Sequence, residues 1–141
     1  MTATAYGRIP EEGVTAPGAV RKILVADDNA SSREFLRAVL EHQGYSVWEA
    51  GDGIDALETA REVVPDLIFL DLCMPGMDGF GVLREIRSIA VLRQTTIIAI
   101  SASAMNGDFE RARAAGFTRI LAKPVSVRTL RAELLMSFPQ A

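Results

Sequence analysis

Five short strand-like runs, at residues 23–26, 45–49, 66–70, 95–100 and 118–122, alternate with stretches in which apolar residues recur at helical spacing. Connections between them are brief, so each strand must be followed by a helix that crosses back over the sheet in the right-handed sense. An α/β domain results, with five parallel strands and helices on both faces, a doubly wound sheet. Ile23-Leu24-Val25-Ala26 is apolar throughout, as a strand covered on both sides should be.

The helical segments carry their own punctuation. Ser31-Ser32-Arg33-Glu34 has the spacing of a capping box, Phe35, Leu36, Val39 and Leu40 form one apolar stripe, and Gly44 supplies the stop. A second helix is expected from Asp52-Gly53 through Ile54, Leu57 and Val64 to Pro65, and a third over 79–88 with Val82, Leu83 and Ile86 inward. A fourth, over 105–114, ends at Gly116, and the last begins near Ser126 with Leu130, Leu134 and Leu135 facing the core. Tyr45 and Trp48 read as packing residues of the second strand, and His42 as a surface residue near the end of the first helix. Residues 1–20 mix Thr, Ala, Gly, Pro and Glu without periodicity and are expected to form a flexible arm before a domain over 21–138, with 139–141 as a tail.

A chain of 141 residues with 49% hydrophobic content suits one domain with one core. The net charge of −3 gives no basic field, so neither direct nucleic-acid binding nor attraction to anionic lipid is expected. Cys73 is the single cysteine, which excludes an internal disulfide framework and any multi-thiolate metal site and fits a reducing cytoplasm. No stretch approaches the roughly 18 apolar residues of a membrane span, and no secretory signal opens the chain.

Charged and hydroxyl residues gather where the strands end. Asp27 and Asp28 follow the first run, Asp71 the third, Ser101 the fourth, and Lys123-Pro124 the fifth. In a parallel sheet all of them emerge at the carboxyl edge, where open α/β folds place their ligands. Three carboxylates close together repel, which favours a divalent cation, and an all-oxygen donor set suits Mg²⁺ better than zinc. Alone, an acidic pair such as Asp27-Asp28 is more often a solvated turn or helix cap.

Over 21–138 the chain resembles the receiver domain of two-component response regulators, on the strength of Asp27-Asp28, Asp71 followed by Met74-Pro75-Gly76-Met77-Asp78-Gly79, Ser101-Ala102 and Lys123-Pro124. The resemblance implies a flavodoxin-like sheet in the order 2-1-3-4-5. It also implies that Asp28, Asp71 and the backbone carbonyl of Cys73 ligate Mg²⁺, with Asp27 acting mainly through metal-bound water. Asp71 would be the nucleophile that takes a phosphoryl group from phosphohistidine, Lys123 and Ser101 would contact phosphoryl oxygens, and a cis Lys123-Pro124 peptide would aim the ammonium inward. A histidine kinase or histidine phosphotransfer protein would be the donor, docking at Ser31, Phe35, Pro124 and Val125. Met105, Ile120 and the last helix would face a downstream protein target or a second copy in a phosphorylation-favoured homodimer, the alternative being a monomer.

Two departures qualify these expectations. Ile120 stands three residues before Lys123, where many receivers carry Tyr or Phe, and its stiff χ1 makes a large rotamer swing unfavourable, so displacement of the 102–106 loop is the expected output. Cys73 and Ser103, two residues beyond Asp71 and Ser101, cannot hold a hydrolytic water as an acid or amide would, which implies a phosphoryl lifetime set by passive access. The Cys73 thiol itself is expected to be semi-buried and inert.

The leading function is therefore a phospho-accepting switch rather than an enzyme, and with no DNA-binding output segment read in the sequence up to Ala141 the expectation is a stand-alone regulator or a phosphorelay intermediate. A phosphorylation-independent interaction module is the main alternative. An aspartyl-nucleophile phosphatase of the haloacid dehalogenase type would need a carboxylate where this chain has Cys73. A flavin carrier would meet an acidic edge hostile to a flavin phosphate.

Overall fold

Ile23, Leu24 and Val25 have no solvent exposure and Ala26 only 1%, because helices cover both sides of the strand they form. In this computed structural model, which describes residues 20–103 and 107–139, that strand is β1 (Lys22–Ala26), joined by β2 (Ser46–Ala50), β3 (Leu67–Asp71), β4 (Thr96–Ser101) and β5 (Arg119–Ala122). Among them run helices α1 (Ala30–His42), α2 (Gly53–Val63), α3 (Gly79–Arg87), α4 (Asp108–Ala115) and α5 (Val127–Ser137), with one 3₁₀ turn at Ala90–Leu92. The sheet order is β2-β1-β3-β4-β5 and every pairing is parallel. This is the doubly wound, flavodoxin-like arrangement expected from the alternation.

Alternate strand residues feed two separate cores. Ile23, Val25, Phe69 and Ile98 pack with Leu36 and Leu40 of α1 and Leu130 and Leu134 of α5. On the opposite face Leu24, Ile68, Leu70 and Ile97 meet Ala56, Leu57 and Ala60 of α2, Val82, Leu83 and Ile86 of α3, and Ala112 of α4. Close approach between elements uses glycine at two points that matter. A Cβ on Gly79 would lie 2.7 Å from the Asp71 carbonyl oxygen, so α3 begins directly against the end of β3. A Cβ on Gly53 would lie 1.8 Å from the Met77 carbonyl, so only glycine lets α2 start beside the β3-α3 loop.

Several local expectations are corrected. Asn29, not a serine, caps α1, accepting from the Ser32 amide, and Ser31 falls within the first helical turn. Ile54 is 53% exposed, since α2 turns its small alanine face inward. Leu135 is 62% exposed, and Glu133 is buried instead. Residues 130, 133 and 134 share one side of α5, whereas 135 lies about 140° around the helix from 130. Glu133 is accommodated there because Arg119 of β5 pairs with it and also donates to Ser137 Oγ. Trp48 lies exposed on the edge strand, while Tyr45 stacks on Phe138 with ring centroids 5.5 Å apart. The arm expected over 1–20, except Val20, and tail residues 140–141 lie outside the described residues.

α1 is tied to β2 through Glu49, which accepts from Arg33 Nε and from Arg37 Nη1, each at 3.0 Å. The Arg37 guanidinium, against the opposing effect of burial and with help from Arg33, holds the Glu49 carboxyl below its ordinary value. A carboxylate with a depressed folded pKa adds stability that is present above the unfolded value of 4.5 and disappears as pH falls through the folded one. Glu49→Gln is thus expected to cost about 1 kcal/mol at neutral pH. The gap from wild type should close in urea titrations repeated at progressively lower pH, and a gap independent of pH would contradict the assignment.

Candidate functional site

Register decides which side chains meet. Ala26 is paired with Leu70, so Asp27 and Asp71 leave the sheet at one level, while Leu70 and Ile120 both pair with Ala99, so Lys123 stands two residues further along, beyond the same carboxyl edge. Asp27 and Asp71 are then fixed by the turns behind them: the Asn29 amide donates to Asp27 Oδ1 and the Cys73 amide to Asp71 Oδ1, each at 2.9 Å. One oxygen of each carboxylate is engaged by backbone, and the other faces Lys123. The ammonium Nζ lies 2.9 Å from Asp27 Oδ2 and donates to Asp71 Oδ2 at 3.1 Å. The contact to Asp27 is an ion pair without hydrogen-bond alignment, and among the described residues Asp27 Oδ2, which is buried, has no other partner.

Burial divides the acids. Asp27 is 1% and Asp71 4% exposed, while Asp28 is exposed, yet one carboxylate oxygen from each of the three lies within 4.8 Å of the other two. Burial pushes the Asp71 carboxyl above the ordinary aspartate value; the Cys73 amide and Lys123 pull against that rise, and Asp27 adds to it. For Lys123, burial works against the ammonium, but Asp27 and Asp71 hold its pKa above the usual lysine value. Two buried carboxylates that share a single lysine and an exposed third one, with an oxygen from each gathered together, make a donor set that fits a small hard cation.

The surroundings place most of the other expected residues. The Lys123-Pro124 peptide is cis, and the Lys123 amide donates to the Ser101 carbonyl at 2.9 Å. Ser31, Phe35, Pro124 and Val125 line one groove of about 540 Å³ that also contains Asp27 and Lys123, with Phe35 42% exposed. Ile120 is half-buried against the core formed with α2 to α4. Cys73 is exposed rather than semi-buried. Met105, with the rest of 104–106, lies outside the described residues.

Two site residues escape sequence reasoning. Arg33 Nη1 donates to the Asp27 carbonyl at 2.7 Å, anchoring the acidic turn to α1, although its position reads as part of a helix cap. Asp108 accepts from the Ser101 hydroxyl at 2.6 Å, while its place in the first turn of α4 reads as ordinary helix-dipole pairing. Neither contact is signalled by periodicity.

The profile of the response regulator receiver domain matches residues 23–135. The polar-differentiation response regulator DivK of Brucella ovis is 35% identical over 107 residues, spanning 76% of this chain and 87% of its own. Among solved structures, Vibrio cholerae chemotaxis protein CheY4 superposes with a TM-score of 0.79 at 31% identity, covering 84% of this chain and 99% of that one. The receiver domain of a Pseudomonas aeruginosa sensor histidine kinase superposes at 0.80 with 34% identity, covering 86% and 100%, and its structure has a magnesium ion coordinated in the active site cleft. Among the described residues no helix is long and apolar enough to cross a membrane.

Proposed function

The chain belongs to the response regulator receiver domain family, and from that premise we propose that it is a switch operated by transfer of a phosphoryl group from phosphohistidine to Asp71. The supporting observation is the pairing of a buried Asp71 carboxylate with Lys123 at 3.1 Å, with Asp27 Oδ2 on the same ammonium at 2.9 Å. In the transfer, an Asp71 oxygen forms a bond to phosphorus as the imidazole N–P bond breaks, and the imidazole leaves with the bonding pair and takes up a proton. Asp71 must be ionised to attack, and Lys123 with the Cys73 amide supports that form against burial.

Asp28, Asp71 and the Cys73 carbonyl would hold Mg²⁺, with Asp27 contributing through a bound water, and the ion when bound neutralises charge on the transferring oxygens. Lys123 then shifts its donation from the free carboxylate toward a phosphoryl oxygen, and the Ser101 hydroxyl would be the second protein donor to that group. The groove of Ser31, Phe35, Pro124 and Val125 would receive the donor, a histidine kinase or phosphotransfer protein, because it opens beside both Asp27 and Lys123. A downstream protein target, contacted through the α4-β5-α5 face with Ile120, completes the reading, in a cytoplasmic setting and with the protein assisting only its own modification.

Cys73 and Ser103 are both exposed and offer no acid or amide to a hydrolytic water. The acyl phosphate is accordingly expected to persist for minutes or longer in Mg²⁺, measured as loss of label after removal of the donor. Decay within seconds would mean an internal catalyst and contradict passive access. Labelling by acetyl phosphate, with no turnover of free phosphate monoesters, separates the switch from an aspartyl phosphatase.

A further inference from the structure

The hydroxyl assigned above to a phosphoryl oxygen is already committed elsewhere. Ser101 Oγ donates to Asp108 Oδ2 at 2.6 Å, with Ser101 only 2% and Asp108 only 8% exposed. A buried hydroxyl on an ionised carboxylate at this distance is among the stronger hydrogen bonds a protein makes. Ser101 Oγ in turn accepts from the Ser103 amide at 2.9 Å, which pins the side chain from the loop. Asp108 Oδ1 accepts from Arg111 Nη1 at 3.3 Å, and that guanidinium lies 4.5 Å above the Phe80 ring of α3. One line of contacts therefore joins the end of β4 to α4 and α3.

A serine hydroxyl has a single proton and can donate to one acceptor at a time. Asp108 and a phosphoryl oxygen on Asp71 are thus mutually exclusive partners. We propose that Asp108 is a positioning residue that holds the Ser101 hydroxyl in the unphosphorylated protein and so sets how readily the site accepts and retains its phosphoryl group. The proposal rests on the phosphoacceptor reading of Asp71 and adds to it a competitor for the switch hydroxyl. When Ser101 turns to the phosphoryl group, Asp108 loses its buried donor and, among the described residues, keeps the side chain of the exposed Arg111. The cost falls on the first turn of α4, so the signal leaves through that helix without needing an aromatic side chain at Ile120.

Binding of beryllofluoride, a phosphoryl mimic, in the presence of Mg²⁺ tests this. Asp108→Ala is expected to bind it about tenfold more tightly than wild type, since no hydrogen bond to a charged group has to be broken first. Asp108→Asn, which keeps a neutral acceptor of the same shape, should fall between the two and carries the test should the alanine variant fold poorly. In a Ser101→Ala background the gain should vanish, because the coupling runs through that hydroxyl. Tighter binding in both backgrounds, or unchanged or weaker binding in both Asp108 variants, overturns the proposal and leaves the phosphoacceptor reading standing. Failure of the wild type to bind beryllofluoride overturns that reading and the proposal with it.

Discussion

Asp71→Asn is expected to reduce phosphoryl labelling to background while making the metal-free protein more stable. Loss of labelling follows from chemistry, since the amide that replaces the carboxylate is not a nucleophile toward phosphorus. The gain in stability follows from linkage. Burial holds the folded pKa of Asp71 above its unfolded value of 3.8. Such a carboxyl contributes most below 3.8, and the contribution is lost as pH rises through the folded value, so at neutral pH the ionised side chain opposes folding. Asn removes that charge, retains an oxygen for the Cys73 amide, and leaves Lys123 neutralised by Asp27 alone. A higher urea midpoint in chelator, together with absent labelling, is the expected pair of results. A lower midpoint would show that Asp71 is held chiefly by its attraction to Lys123.

Lys123→Ala should do the reverse. It strands Asp27 and Asp71, both nearly fully buried, without the ammonium that faces them at 2.9 and 3.1 Å. Removing one partner from such a cluster is expected to cost about 3 kcal/mol at neutral pH without metal. The lysine has a raised folded pKa, so its contribution is complete below the unfolded value of 10.5 and lost only as pH climbs through the folded one. Neutral pH is therefore within the window where the loss is fully felt. Added Mg²⁺ should restore much of the stability of Lys123→Ala by supplying the missing positive charge, with a larger shift in midpoint than in wild type. Equal metal-induced shifts in the two proteins would argue that Lys123 does not face the cation site.

The sheet and its charged edge were legible because both depend on short-range pattern. Apolar runs of strand length, four of the five followed by an acid, a serine or a lysine, require only parallel pairing to bring those residues to one edge, and the pairing of Ala26 with Leu70 shows it. Details set by partners distant in sequence were not legible. Two serines and an asparagine compete to cap α1, and Asn29 wins because the Asp27 side chain captures its amide and turns the chain there. Glu133 is buried only because Arg119 waits on β5, whereas spacing along α5 alone makes Leu135 as credible a core residue. Asp108 shows the same limit within the site: its role depends on a hydroxyl seven residues earlier, across a loop that carries no period.

Phosphotransfer from a panel of purified histidine kinases, read by mapping the labelled residue in wild type and in Asp71→Asn, tests the central claim most directly. Mg²⁺-dependent label on Asp71 from at least one donor, and none in the variant, is the expected result. Label on another residue, label that survives Asp71→Asn, or no transfer from any donor or from acetyl phosphate would contradict it.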